Sequence, residues 1–361
     1  MPWPFTGNPR ALAAVQRSLA SGAPPHAWLF AGPEGVGKRA LALRVAQALN
    51  CERGIGAQGL APLRSDSEPP DESTPCDECR ACTRIAAGIH ADVQTVSFDT
   101  ADDGRVLTEI SVDQVREIER AVALNPFEGR TRVLIIDPAD AMSAGAQNAF
   151  LKTLEEPPPR AVFVLITTRE ESLLPTIRSR CRRVEFSLLP VAEIESALTT
   201  DGVEPERAAL LARLSSGRIG WALNAARDPA LLERRREALE QARAIPGMPV
   251  AERMRLSEQL SERFRQDREP VFALLDEWLG WWRDILLVQA GSEGGIANGD
   301  LLPELREAAS RHPRNDTMRF VHALLAAKEQ LQANVQSRIA LDALLLEAPL
   351  PAKRGAAQSP A

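Results

Sequence analysis

The stretch Gly32-Pro-Glu-Gly-Val-Gly-Lys-Arg39 constrains this chain more than any other part of its sequence. It follows a short apolar run, His26-Ala-Trp-Leu-Phe-Ala31. It leads into Lys38 to Asn50, where Leu41, Val45 and Leu49 recur at helical spacing. A strand, a glycine-rich turn and a helix in that order form the setting of a phosphate-cradling P-loop. Gly32, Gly35 and Gly37 free the backbone to wrap its N–H groups around an anion, and the helix N-terminus adds partial positive charge. Lys38 is placed to reach the outer phosphates. Such a loop sits in an α/β fold whose parallel sheet carries helices on both faces.

The remainder of the first half repeats that alternation. Val93 to Ser97, Arg132 to Asp137, Ala161 to Thr167 and Arg183 to Ser187 read as further strands. Ser111 to Leu124 is predicted as a helix with Ser111 as its N-cap, and Ser143 to Glu156 as a helix stopped by Pro157-Pro158-Pro159. After about Pro190 only helical patterns continue. The expected division is an α/β P-loop domain over 1–188, a small helical domain over 189–228, an all-α domain over 229–347 and a Pro/Ala-rich disordered tail over 348–361. Within the last helical region, Arg268 to Ala290 and Asn315 to Asn334 read as long amphipathic helices. Trp278, Trp281 and Trp282 share the first of these, where a core or interface role outweighs base stacking.

Composition narrows the function classes. Aromatic residues are 4 % of the 361, with no Tyr, and the formal net charge is −6. Neither suits a protein that binds nucleic acid over its whole surface. The most apolar late stretch, Val271 to Val288, is interrupted by Asp276, Glu277, Arg283 and Asp284, so no membrane span is expected. The first residues lack a signal-peptide pattern, and a cytoplasmic location is the resulting expectation. Reduced cysteines in that compartment point to metal rather than disulfides.

Cys76, Cys79 and Cys82 are spaced as two C-x2-C steps, with Cys51 upstream. Four thiolates match tetrahedral Zn²⁺, and the absence of an open ligand position argues for a structural ion. His90 is not needed as a further ligand, and Cys181 stands apart as a small core residue. Residues 53–75, rich in Gly, Pro, Ser and acid, read as a surface insert pinned between the metal ligands.

The nucleotide loop departs from a working one at several points. Its last position, where Ser or Thr would ligate Mg²⁺, is Arg39. Asp137 ends its strand where a metal-holding aspartate belongs, but the next residue, where a glutamate would activate water, is Pro138. Asp140 lies three residues beyond and past a proline. These losses make ATP or ADP binding doubtful, Mg²⁺ ligation unexpected and hydrolysis severely handicapped.

The order of these pieces resembles the clamp-loader branch of the AAA+ ATPases. The matching text is His26-Ala-Trp-Leu-Phe-Ala-Gly32 with the loop after it, the four cysteines, and Asn148-Ala-Phe-Leu-Lys-Thr-Leu-Glu-Glu-Pro-Pro158. Thr167-Thr-Arg-Glu170, Leu173-Leu-Pro-Thr-Ile-Arg-Ser-Arg-Cys181 and Asn334-Val-Gln-Ser-Arg-Ile-Ala-Leu-Asp-Ala-Leu344 complete it. Arg39, Pro138 and Gly220, the last where a motor subunit has a lid arginine, make the chain similar to the delta-prime type rather than to the gamma/tau motors. The resemblance implies an AAA+ core, a lid and a collar in a pentameric ring with gamma/tau and delta subunits, acting on a sliding clamp and primed DNA of the polymerase III system. It also implies that Thr167, at the end of its strand, stands at the polar sensor of the γ-phosphate, and that Arg180, in Ser-Arg-Cys, is an arginine finger for the neighbouring subunit's ATP. A solvated basic edge of Arg178, Arg180, Arg182 and Arg183 is the plainer reading of the same residues. Two other functions compete: an active gamma/tau-type ATPase, and a zinc-dependent nucleic-acid module.

Overall fold

The computed structural model describes residues 3, 5–21, 24–53, 74–100, 107–333 and 335–349. They divide into two compact units, one built from the chain up to Asp201 with Gly217–Trp221, the other from Gly202–Ser216 and from Ala222 onward. The 53–75 insert, apart from its ends, and the tail beyond 349 lie outside the described residues, as does Asn334.

The first unit is a five-stranded parallel sheet in the order β2-β3-β4-β1-β5. Its strands are β1 (Ala27–Ala31), β2 (Val93–Val96), β3 (Arg132–Ile136), β4 (Ala161–Thr167) and β5 (Arg182–Glu185). The central β1 and β4 are buried at every residue, as continuous apolar runs covered on both faces must be. Their side chains alternate between two cores. Trp28, Phe30, Val133, Ile135, Val164 and Ile166 pack under α1 (Pro9–Ala20) and α2 (Lys38–Asn50). Leu29, Leu134, Ile136, Phe163 and Leu165 pack under α4 (Val112–Val122), α5 (Ala144–Glu155) and α6 (Pro175–Arg180). The short α3 (Arg80–Ala86), between Cys79 and β2, adds Ile85 to the first core. Cys181 belongs to this second core, where burial pushes its thiol up to about 12. Ser111 accepts from the Gln114 N–H while the Gln114 side chain accepts from the Ser111 N–H, closing a capping box at α4. Helix α1, with Ala11, Val15 and Leu19 at helical spacing, and the seven-residue α3 are not among the predicted elements, and β5 begins one residue earlier and ends two earlier than the apolar pattern suggests.

One buried carboxylate organises the edge beside β2. Asp92, its side chain fully enclosed, accepts from the N–H groups of Phe127 (2.7 Å), Glu128 (2.8 Å) and Gly129 (2.7 Å) and from Arg132 Nη2 (3.1 Å). Burial alone pushes its pKa up, but those donors outweigh burial and leave it below the usual aspartate value. The stabilisation is therefore complete above the unfolded pKa of about 3.9 and lost as pH falls through the depressed folded value. Asp92→Ala orphans all four donors and should remove roughly 3–5 kcal/mol at neutral pH. Urea unfolding at pH 7 and pH 3 tests this: the gap between wild type and variant should shrink in acid, and a pH-independent gap would overturn the assignment.

The described residues hold no strand after β5. Helix α7 (Val191–Thr200) closes the first unit, and α8 (Pro205–Leu214), α9 (Ile219–Arg227) and α10 (Pro229–Ala244) follow. The second unit is dominated by α11 (Val250–Gln266), α12 (Glu269–Gln289), α13 (Leu302–Arg311), α14 (Arg314–Gln332) and α15 (Ser337–Leu346). Leu275, Trp278, Trp282 and Ile285 recur at three- and four-residue steps on α12 and lie in the centre of that core with Phe320 and Leu324. The three tryptophans are thus core residues. Asp284, which breaks the apolar run, is itself fully buried. It accepts from the backbone N–H groups of Ala297 (3.1 Å) and Asn298 (2.8 Å) and from Asn298 Nδ2 (2.8 Å). No helix of the described residues is long and apolar enough to cross a membrane.

Candidate nucleotide site, cysteine cluster and arginine edge

Gly32, Asp137 and Thr167 follow or end β1, β3 and β4, so the sheet brings all three to its carboxyl edge, where open α/β sheets place their ligands. The Gly32 N–H donates to the Thr167 carbonyl at 3.3 Å. Gly32, Gly35 and Gly37 take φ of 149°, 71° and 96°. At Gly32 any Cβ would collide with the Phe186 carbonyl, so the loop is closely packed from behind. Asn8 braces it further: its Nδ2 donates to the Val36 carbonyl (3.1 Å) and its Oδ1 accepts from the Ser187 N–H (2.9 Å). Nothing in the sequence pattern marks Asn8, because its partners are 28 and 179 residues away.

The functional groups of this site are engaged with one another. Lys38 is buried, and its ammonium donates to the carbonyls of Gly32 and Pro33, the latter at 2.6 Å. Burial lowers its pKa to about 8 against the opposing pull of Asp137, Glu34 and Asp140. Burial raises the pKa of Asp137, while Arg39 and Lys38 hold it down. Arg39 thus places a fixed cation beside the carboxylate that would otherwise hold a metal. Thr167 Oγ1 donates to Asp140 Oδ1 (2.8 Å) and accepts from the Arg169 N–H (3.0 Å). Asp140 also accepts from the Thr168 N–H and from Arg169 Nε, both at 3.3 Å.

Gly220 lies directly against the loop. Its N–H donates to the Gly35 carbonyl at 2.7 Å, and a Cβ there would stand 2.8 Å from that oxygen. Any side chain at 220, an arginine included, requires this contact to open.

Cys51, Cys76, Cys79 and Cys82 converge, their sulfurs all within 4.8 Å of one another. A Zn–S bond of about 2.3 Å implies sulfurs roughly 3.8 Å apart, so a small contraction closes the shell. Cys51 follows α2 and Cys79 caps α3, each position set by a helix end. The Cys79 N–H points at Cys76 Sγ (3.3 Å) and the Cys82 N–H at Cys79 Sγ (3.5 Å), as in turns that stabilise thiolates. Gln47, itself buried, donates to the Cys82 carbonyl at 3.0 Å and ties the turn to α2. Hydrogen bonding from Cys82 draws the Cys51 thiol down to about 5, and the same contact, with burial, pushes Cys82 up. One thiolate is tolerated here but four need a cation, and the donor set fits zinc. His90 is elsewhere, accepting on Nδ1 from the Asp92 N–H at 3.2 Å.

Arg180 ends α6 on the surface, its Nη1 donating to the Thr176 carbonyl (3.1 Å) and its Nη2 to Glu155 Oε1 (2.6 Å). Arg183 pairs with Glu170 (2.7 Å) and Glu185 (3.1 Å). Two of the four arginines of this edge, Arg180 and Arg183, are thus held by specific acids.

Residues 7–190 match the family described as "DNA polymerase III, delta subunit". The Pseudomonas aeruginosa DNA polymerase III subunit delta' is 30 % identical over 327 residues, 89 % of this chain and 91 % of that protein. The chain belongs to the delta-prime family. The Bacillus subtilis subunit delta' is 28 % identical over 339 residues, 94 % of this chain and 95 % of that one. Kinship extends to the tau subunits: that of Escherichia coli is 30 % identical over 364 residues, although this chain spans only 52 % of its length. The fold is accordingly the P-loop AAA+ fold, followed by a largely helical region.

Proposed function

We propose that this delta-prime family member is a subunit of the polymerase III clamp loader, taking part in ATP-dependent loading of the sliding clamp onto primed DNA. It would sit in a pentameric ring with gamma/tau-type and delta subunits. The α/β region to about 188 forms the AAA+ core, residues 189–228 a lid and 229–347 the collar that joins the ring. The chain hydrolyses little or no ATP itself and presents Arg180 to the ATP of a neighbouring subunit. Its own zinc, held by Cys51, Cys76, Cys79 and Cys82, is structural.

The observation that carries this reading is the state of Asp140. It is the nearest acid to the position of a water-activating base, and three donors already engage it. With Pro138 after Asp137 and Arg39 beside it, the site lacks both a free general base and a hydroxyl for Mg²⁺. Gly32, Gly35, Gly37, Lys38, Asp137 and Thr167 are then a nucleotide site inherited in form, with its donors turned inward.

ATP turnover by the purified chain, alone and combined with gamma-type and delta subunits, clamp and primed DNA, tests the proposal. The chain alone should be silent and should raise the turnover of the mixture. Stand-alone hydrolysis at the roughly 1–100 s⁻¹ of working phosphotransferases would instead identify an active gamma/tau-type ATPase.

A further inference from the structure

Glu155 and Glu156 close α5, where the negative end of the helix dipole disfavours acids. The following prolines forbid the helix from continuing past them. A carboxylate at such a position is stabilised by a nearby cation, and for Glu155 the fold supplies Arg180. The two are 25 residues apart and meet because α5 and α6 both end at the same edge.

The backbone under Arg180 is well anchored. Cys181, the next residue, is buried in the core beneath the sheet, and Arg182 begins β5. The guanidinium is not anchored by packing; its side chain is 35 % exposed. What fixes it are two hydrogen bonds, Nη1 to the Thr176 carbonyl and Nη2 to Glu155 Oε1. A long, rotamer-rich side chain that must stabilise charge on a transferring phosphoryl works best when its fork is aimed beforehand. Those two bonds leave the Nε–H and the second hydrogen of each terminal nitrogen for an incoming oxyanion.

We infer that Glu155 is a positioning residue for Arg180, holding the guanidinium in the orientation in which it meets a neighbour's ATP. This rests on the finger role proposed above. Glu155 touches no phosphate; it acts through Arg180 alone. Its contribution lies in the transition state, so it affects turnover and leaves ATP affinity unchanged.

The test is steady-state ATP turnover by the reconstituted assembly with clamp and primed DNA, comparing wild type, Glu155→Gln, Glu155→Asp and Arg180→Ala. Glu155→Gln should lower kcat roughly 10-fold, with KM for ATP unchanged within about 2-fold. Glu155→Asp keeps the charge and should recover part of the loss. Raising the salt should slow wild type towards the Glu155→Gln rate, because the pair is exposed and screened. If Glu155→Gln matches wild type while Arg180→Ala is inactive, the positioning role falls and the finger stands. If Arg180→Ala itself matches wild type, both fall. If Glu155→Gln raises KM with kcat intact, or loses activity only because it fails to assemble by size-exclusion chromatography while Glu155→Asp assembles equally poorly, the residue is structural and the inference is overturned.

Discussion

Arg180→Ala should slow ATP turnover at the site this chain faces by on the order of 10³-fold, the lower end of what a trans arginine supplies in GTPases. That is about 4 kcal/mol of transition-state stabilisation. The loss should be confined to chemistry. Arg180 ends a surface helix and pairs with a half-exposed carboxylate, and removing one partner of such a pair changes stability by no more than about 1 kcal/mol. The variant should therefore assemble normally, melt with wild type and still fail to stimulate its neighbour. Arg180→Lys should fail nearly as badly, because an ammonium cannot reproduce the planar fork. Single-turnover hydrolysis in the assembled ring is the measurement that checks this. An Arg180→Ala ring that turns over at the wild-type rate would return Arg178, Arg180, Arg182 and Arg183 to being a solvated basic edge with no catalytic task.

Removing zinc should have the second large effect, and a local one. Binding of structural zinc is worth roughly 10–16 kcal/mol in isolated zinc-finger peptides, where it is the folding free energy. Here α2 is held independently by Leu41, Ala42 and Val45 against the sheet. The apolar packing of the cysteine turn and α3 is limited to the cysteines, Ala81 and Ile85, and their polar ties are few, from Gln47 to the Cys82 carbonyl, from Arg44 to Asp77 and from Arg84 to Glu128. Metal stripping should therefore melt Cys76 to Ala86 while the sheet persists. By hydrogen exchange, α3 should lose its protection and β1, β3 and β4 keep theirs. Thiol titration should count four newly reactive cysteines, with Cys181 staying shielded in its core. Cys82→Ser, which puts a poor zinc ligand at a fully buried position, should reproduce that pattern without chelator. Metal analysis showing no zinc in a protein whose α3 is already protected would remove the ion from the account.

Much of this molecule is legible from one dimension. The strand over Ala161–Thr167 and the helix over Lys38–Asn50 run between the residues that their apolar patterns predict, because each is long, apolar on its buried side and preceded closely by proline or glycine. The cysteine spacing marks its cluster for a similar reason, since two-residue steps are a local geometry. Helix α3 escaped notice because its seven residues are too few to show a period, and it stands on its Cys79 cap. Asp92 gave no signal either; an aspartate before a strand is ordinary until the loop at 127–129 closes on it.

Residue identity alone determined that the chain has a P-loop frame, that Arg39 and Pro138 replace a hydroxyl and a glutamate, and that Arg180 stands in a Ser-Arg-Cys setting. Those are statements about side-chain chemistry, which needs no coordinates. Only the tertiary structure decided where each polar group points. It turned Lys38 onto its own loop, joined Thr167 to Asp140, seated Gly220 on Gly35 and brought Glu155 to Arg180. The last three of these contacts join residues 25 or more positions apart, which become neighbours only when strands and helices pack. A hydrogen bond reaches about 3 Å, so sequence can name its donors and acceptors but not match them.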